Sequence, residues 1–490
     1  MRLILGPIPG AVTNDSAKVW IFWSKSQDDE PAPKCHIYKN KECTEKISSS
    51  PFDDVSTSVH TSGAIHGLSG LAHISFPGEE RKYYFKIKSG LKNDPEDERI
   101  YAIRPFPKDA SCIDSLSFAL VSCHRPIFKP KVDEKRVSAM WKQLGDRMHE
   151  HGCRFLINAG DQVYSDYPAL NAWEHSLKES SDEKKLWYYR QLYLKYWDFP
   201  EVQEVMRSFP QYMIWDDHEI TNGWGSEHRH YGDNRYRRVF EIARQAYIEF
   251  QHCHNPNPLR EGEFYFAFNY GPVAFLFMDL RGHRNIALYD PKADNGSYPL
   301  AGKEQWDDIQ KWLNSKVIKE SKALFVITSV PVCHLSRKFW SFGFIKNDIF
   351  DQWSTPHNKK ERRILLGSLL KWSGDKNKPV FLLSGDVHVG TVGKITEKTG
   401  GDGNSIHQIT SSPITNDPAS LLDIFMKRFS GEFNFHLEKG KKRPMHGKIT
   451  HRYRKRNFAI IKVQLNDINP NVYLYMYEGG KRKPDPVSFI

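Results

Sequence analysis

The sequence predicts an α/β protein preceded by a small all-β module, and three observations carry that prediction. Short strand-like runs fill the first hundred residues, apolar runs alternate with amphipathic helices from Leu116 onward, and polar residues gather where the apolar runs end. The 490 residues are 39% hydrophobic and 13% aromatic, enough to bury a substantial core and to exclude a chain disordered throughout. At about 150 residues per domain, the length suits roughly three domains, or one large enzyme fold with an accessory module.

The β module is read from residues 16–23, 72–76 and 82–87, β-branched or aromatic runs separated by Gly, Pro, Asn and Asp. It occupies residues 1–107 and ends at Arg104-Pro105-Phe106-Pro107, whose prolines suit an extended linker. Beyond it, strands are expected at 116–121, 154–158, 211–215, 273–278, 323–329 and 379–383. Helices are expected between them at 134–149, 183–197, 234–251, 303–319 and 359–372. Continuous apolar strands with intervening helices predict a sheet covered on both faces. Strands return at 406–410, 457–463 and 472–477, so the second domain is drawn over 116–490 with a basic insertion at about 417–456.

The net charge is +11, and nine Lys and Arg with no acid lie between Lys439 and Arg456. The rest of the chain is therefore nearly neutral, and basicity is local. This segment is expected to be a solvated loop, with an acidic substrate or nucleic-acid contact as its functional alternative. No apolar run approaches the roughly 18–20 residues of a membrane span. Met1-Arg2-Leu3-Ile4-Leu5 breaks at Gly6-Pro7, too short for the apolar core of a secretory signal. Seven cysteines without a CxxC pair make no disulfide framework, so a cytoplasmic location is expected, with non-classical export left open.

In α/β sheets ligands bind beyond the carboxyl ends of strands, which directs attention to the residues just after each apolar run. Those residues are Ser122-Cys123-His124-Arg125, Gly160-Asp161 through Tyr164 to Asp166, Asp216-Asp217-His218-Glu219, Asp279-Leu280-Arg281, and Gly385-Asp386-Val387-His388. Five strand ends deliver Cys, Tyr, Asp, His and Arg, all metal ligands or anion partners. Carboxylates and imidazoles bind divalent and trivalent cations, and a carboxylate can bridge two of them. Phenol and thiol donors deprotonate readily only beside a strong Lewis acid, so Tyr164 and Cys123 suggest Fe(III) in one position. Bridging by Asp161 would leave Asp217 and Asp386 for a second, harder ion. Asp216 is expected to cap the following turn, and His228, His230 and the aromatic run from Trp187 to Trp197 to serve loop and packing roles.

The segments VSCHRP, NAGDQVYSD, MIWDDHEITNGWG, FMDLRGHR and LLSGDVHVG resemble the alkaline phosphatase D branch of the calcineurin-like metallophosphoesterases. The opening GPIPGAVTNDSAKVWIFW is similar to the β-sandwich that precedes that enzyme domain. The resemblance implies a four-layer α/β/β/α metallophosphoesterase domain and a phosphoric ester hydrolase, with diesters as first substrate and monoesters as second. It implies Cys123, Asp161, Tyr164 and His388 around Fe(III), and Asp161, Asp217 and Asp386 around Ca2+ or another divalent metal such as Mn2+, Mg2+ or Zn2+. It further implies a metal-bridging hydroxide as nucleophile, His218 protonating the leaving oxygen, and Arg125 and Arg281 near the phosphoryl oxygens. The histidine this superfamily places after the strand at 323–329 is replaced by Val330-Pro331-Val332, with His334 as a substitute only if the loop folds back. A non-catalytic anion-binding protein on the same scaffold is the rival reading.

Overall fold

The computed structural model describes residues 2–24, 31–55, 67–78, 81–89, 98–109, 113–128, 131–132, 134–289, 298–334, 352–374, 378–397, 404–418, 432–436, 444–466, 469–479 and 484–489. Eight strands come first: β1 (Arg2–Val12), β2 (Ser16–Ser24), β3 (Lys34–Tyr38), β4 (Lys46–Pro51), β5 (Asp53–Asp54), β6 (Gly67–Ser75), β7 (Tyr83–Lys88) and β8 (Tyr101–Ile103). They pair antiparallel into two four-stranded sheets, ordered β1-β2-β6-β5 and β4-β3-β7-β8. Val19, Ile21 and Ile74 of one sheet share a core with Ile37, Phe85 and Ile87 of the other, as expected for a sandwich. Trp20 locks this module to the rest of the chain by donating its indole N–H to the carbonyl of Glu249, 2.8 Å away.

The first half of the remaining chain runs β9 (Ser115–Val121), β10 (Ile127–Phe128), β11 (Lys131–Val132), α1 (Glu134–Glu150), β12 (Leu156–Ala159), α2 (Ala172–Lys178), α3 (Asp182–Trp197), α4 (Pro200–Ser208) and β13 (Gln211–Ile214). It continues with α5 (Arg229–Gly232), α6 (Asn234–Phe250), β14 (Phe266–Tyr270), β15 (Val273–Phe277), α7 (Lys303–Leu313), α8 (Lys316–Glu320) and β16 (Ala323–Ile327). The last part holds α9 (Lys359–Ser373), β17 (Val380–Ser384), β18 (Gly390–Glu397), β19 (Ser405–Thr410), β20 (Glu432–His436), β21 (Pro444–Tyr453), β22 (Asn457–Gln464), β23 (Asn471–Glu478) and β24 (Val487–Phe489).

Two mixed sheets result, ordered β13-β12-β9-β22-β23-β24 and β14-β15-β16-β17-β19-β18-β21-β20. Strand alternation explains how they stack. In β9, Phe118 and Leu120 face the second sheet, while Ala119 and Val121 face the helices around α1, α3 and α6. In β15 and β16, Phe275 and Phe325 point inward, while Leu276 and Val326 pack on α7 and α9 with Trp306, Ile309 and Leu365. Phe118 meets both Phe275 and Phe325 edge-on, at 5.3 and 5.2 Å between ring centroids. The domain is thus layered α/β/β/α. Strands buried on both faces read as unbroken apolar runs, which is why they stand out in the sequence.

Two expectations are corrected. The helix expected at 303–319 is two helices, α7 and α8, interrupted at Asn314-Ser315. The basic segment is a loop only in part: β21 pairs antiparallel with β18 and buries Met445 and Ile449, while Arg454, Lys455 and Arg456 form the turn into β22. Lys448 stays exposed between the buried Gly447 and Ile449, so that stretch packs on one face and is wet on the other. The remainder of the expected insertion, 419–431 and 437–443, lies outside the described residues, as does Cys112. No helix among the described residues is long and apolar enough to cross a membrane.

Candidate metal centre

Parallel pairing of β9, β12 and β13 in one sheet, and of β15, β16, β17 and β19 in the other, brings their carboxyl ends together. Cys123 comes after β9, Asp161 after β12, Asp216 and Asp217 after β13, and Asp386 and His388 after β17. Four of these adopt left-handed backbone: Cys123, Asp161, Asp386 and His388 have φ of 55°, 56°, 66° and 54°. Each such residue costs about 1–3 kcal/mol and persists where the surroundings impose it. Among the described non-glycine residues only Cys43 and Asn171 share positive φ, so the strain concentrates on the candidate ligands. Gly160, at φ 92°, permits the turn: a Cβ there would stand 2.6 Å from the Cβ of Asp216.

The buried Glu219 holds two of these loops together. Its carboxylate accepts from the backbone N–H of Asp161 at 3.0 Å, Gln162 at 2.6 Å and Asp216 at 2.8 Å. Asp216 takes the N-cap position of the short helix Asp217–Glu219, and its carboxylate is ion-paired to Arg281. Asn416, at the end of the loop after β19, reaches in from the other side. Its amide lies 2.9 Å from the Tyr164 hydroxyl and 3.1 Å from Nε2 of His388.

Ligand atoms of Cys123, Asp161 and His388 lie within 4.8 Å of one another. The Tyr164 hydroxyl joins them, 3.1 Å from Asp161 Oδ2 and 3.3 Å from His388 Nε2. The expected second trio is arranged differently. Asp161 groups with Asp217 and His218, and Asp217 groups with Asp216 and Asp386. Gln352 stands beside Asp386, its amide donating at 3.0 Å. His334 enters none of these groups: it is buried and driven down to about 3, by burial and then by Arg452.

The electrostatics fit a cation. Burial, then the Asp161 charge, pushes the Cys123 thiol and the Tyr164 phenol well up. Burial also raises Asp161, with Asp217 and Asp216 adding to it and His218 opposing. His388 is driven down to about 3 by burial, then by His218 and Arg125, and so is a neutral imidazole ready to ligate. Oδ1 of the buried Asp161 accepts no hydrogen bond among the described residues. A sulfur, a phenol, carboxylates and a neutral imidazole around an unpartnered buried carboxylate oxygen form a donor set suited to metal.

His218 and Arg125 stand at the edge of this cluster. The His218 ring stacks on Tyr164 at 4.2 Å, and Nδ1 lies 2.8 Å from Asp166 Oδ1. Burial resists charge on His218, but Asp166, Asp217 and Asp161 outweigh it and hold its pKa well above the usual value. The Arg125 guanidinium lies over the Tyr167 ring at 4.1 Å and near Tyr164 at 6.0 Å. Arg281 is fully buried, ion-paired to Asp216 and 3.5 Å from Asp217, so it neutralises protein carboxylates. Burial alone would raise Asp217, and Arg281 and His218 reverse that shift. His230 is packed on Trp224 at 4.9 Å and accepts from the Gly225 N–H, and Tyr189, Tyr193, Tyr196 and Trp197 are core.

A family model described as PhoD-like phosphatase matches residues 118–443. Alkaline phosphatase D of Bacillus subtilis is 24% identical over 345 residues, covering 66% of this chain and 54% of that protein. An uncharacterized protein of Saccharomyces cerevisiae is 23% identical over 341 residues, covering 51% of this chain and 46% of its own. The chain spans about half the length of these curated relatives. A structure of PhoD superposes with a TM-score of 0.67 at 17% identity, over 99% of this chain and 92% of that one. Purple acid phosphatase from yellow lupin seeds gives 0.61 at 11% identity, over 98% and 73%. These two likenesses establish the shared fold.

Proposed function

The chain belongs to the PhoD-like phosphatase family, and from that premise we propose that it is a metal-dependent phosphoric ester hydrolase, acting on diesters first and monoesters second. The observation that carries this reading is the row of overlapping donor groups sharing Asp161 and Asp217 at the strand ends. Cys123, Asp161, Tyr164 and His388 would hold Fe(III), whose acidity suits thiolate and phenolate donors. Asp161, Asp217 and Asp386 would hold Ca2+, or Mn2+, Mg2+ or Zn2+, in the second place. When bound, such a pair would supply positive charge for the phosphoryl oxygens and would make water a better nucleophile by lowering its pKa.

The chain's own residues do the rest. With Nδ1 of His218 engaged by Asp166, the proton on Nε2 is the one available to a departing alkoxide. Arg125, planar and stacked on Tyr167, is set to orient phosphoryl oxygens at the edge of the site. Arg281 pairs with Asp216 and helps hold Asp217 ionised. Purified protein supplied with iron and calcium should hydrolyse bis-p-nitrophenyl phosphate faster than p-nitrophenyl phosphate. Hydrolysis of the monoester alone removes the diester preference, and inertness toward both removes the enzyme reading in favour of an anion-binding protein.

A further inference from the structure

The end of the basic segment lines a pocket beside the candidate metal centre. Arg136, Met140 and Gln143 of α1 and Lys455 and Arg456 after β21 enclose about 430 Å³, within the roughly 300–1,000 Å³ of small-molecule sites. One carboxylate joins this pocket to the metal centre. Asp417 lies 3.4 Å from Arg125, 3.2 Å from Arg136 and 2.6 Å from Arg456. Arg125 in turn lies over Tyr167 and near Tyr164, so Asp417 links two arginines of the pocket to a residue at the metal centre.

The cationic side chains of the lining suit an anion. Arg125, Arg136 and Arg456 gather at Asp417, Lys455 and Arg456 line the pocket, and Glu478 accepts from the backbone N–H groups of Arg454 and Lys455. Three arginines converging on one carboxylate, itself 57% exposed, is the arrangement that a doubly charged phosphate satisfies better than a single Asp does. Arg456 also donates from Nε to the carbonyls of Thr415 and Asn416, which fixes the turn carrying Asn416 against Tyr164. Pocket and metal centre are therefore held in register by the same short segment.

We propose that this pocket is a subsite for a second phosphate group on the substrate, so that the preferred ester carries a phosphate on one of its esterified alcohols as well as at the reacting centre. The inference rests on the phosphoric ester reading of the metal centre and names the substrate class within it. Arg136 and Arg456 grip the second phosphate through their guanidinium forks, and Lys455 adds a point charge from the exposed rim.

The test uses a matched pair, thymidine 5′-(p-nitrophenyl phosphate) with and without a 3′-phosphate, on the metal-loaded full chain. The 3′-phosphate should lower KM about 10-fold, a difference of ~1.4 kcal/mol in binding. In parallel, thymidine 3′,5′-bisphosphate should bind about 10-fold more tightly than thymidine 5′-phosphate by calorimetry. Both advantages should shrink in Arg136→Gln and in Lys455→Gln, the latter an exposed position whose replacement leaves packing intact. Equal affinities for the members of each pair, or advantages that survive both substitutions, overturn the subsite. If neither ester is cleaved but the bisphosphate preference is present and lost in the variants, the subsite stands and the hydrolase reading falls. If both esters are cleaved with equal KM, the reverse holds.

Discussion

Nδ1 of His218 lies 2.8 Å from a carboxylate oxygen of Asp166, 52 residues away in sequence. Asp166 also accepts from the backbone N–H of Asn222 at 3.2 Å, so its carboxylate is fixed before it orients the ring. Removing the ring, as in His218→Gln, should lower kcat by about 10²–10⁴-fold, the range for a lost general acid. Asp166→Asn should cost less, about 10–100-fold. In both variants the loss should be larger for an alkyl phosphate ester than for a p-nitrophenyl ester, whose leaving phenolate needs no proton. Equal losses on the two leaving groups would remove the acid role.

Arg281 makes a different prediction, because its partners are protein carboxylates. Arg281→Met leaves the buried Asp216 and Asp217 without their cation and should destabilise the fold by about 3–5 kcal/mol in urea unfolding. A variant with unchanged stability but lost activity would instead place Arg281 against substrate.

Asn416 holds a phenol and an imidazole at once. Asn416→Ala should lower metal affinity about 10–100-fold, measured by competition with a chelator, while unfolding in the absence of metal shifts little. Metal affinity unchanged by the substitution would reduce Asn416 to a packing residue.

Gly160→Ala tests the strained turn. The added Cβ would stand 2.6 Å from Asp216 in a left-handed backbone, so the Asp161 loop must shift. The variant should lose about 1–3 kcal/mol of stability and much of its bound metal. Full metal content at wild-type stability would show that the loop position is not what holds Asp161.

Much of this architecture is legible from residue order. Apolar runs such as 323–329 and 379–383 are conspicuous because both of their faces are buried, and Cys123, Asp161, Asp217, Asp386 and His388 come directly after such runs. Other parts carry no comparable signal. β21 is hidden in a charge run of which it holds only Lys448 and Arg452, and its burial of Met445 and Ile449 is not apparent from so basic a stretch. Asn416 lies six residues past β19, within a loop whose course no local pattern dictates, although the rule of inspecting strand ends, applied to 406–410, reaches it. Glu219 and Asp166 lie inside the polar segments at the strand ends, yet their hydrogen bonds join residues more than 50 positions apart, 57 for Gln162 to Glu219 and 52 for His218 to Asp166. For Arg281, sequence shows a cation after a strand but not that it pairs with Asp216.

The central claim is that Asp161 belongs to both halves of a two-metal site. Elemental analysis of wild type and Asp161→Asn, loaded side by side with iron and calcium, tests it most directly. Two bound ions per wild-type chain, and loss of both in Asp161→Asn together with turnover, is the predicted result. An Asp161→Asn protein that keeps the wild-type metal content and near-normal activity would contradict it.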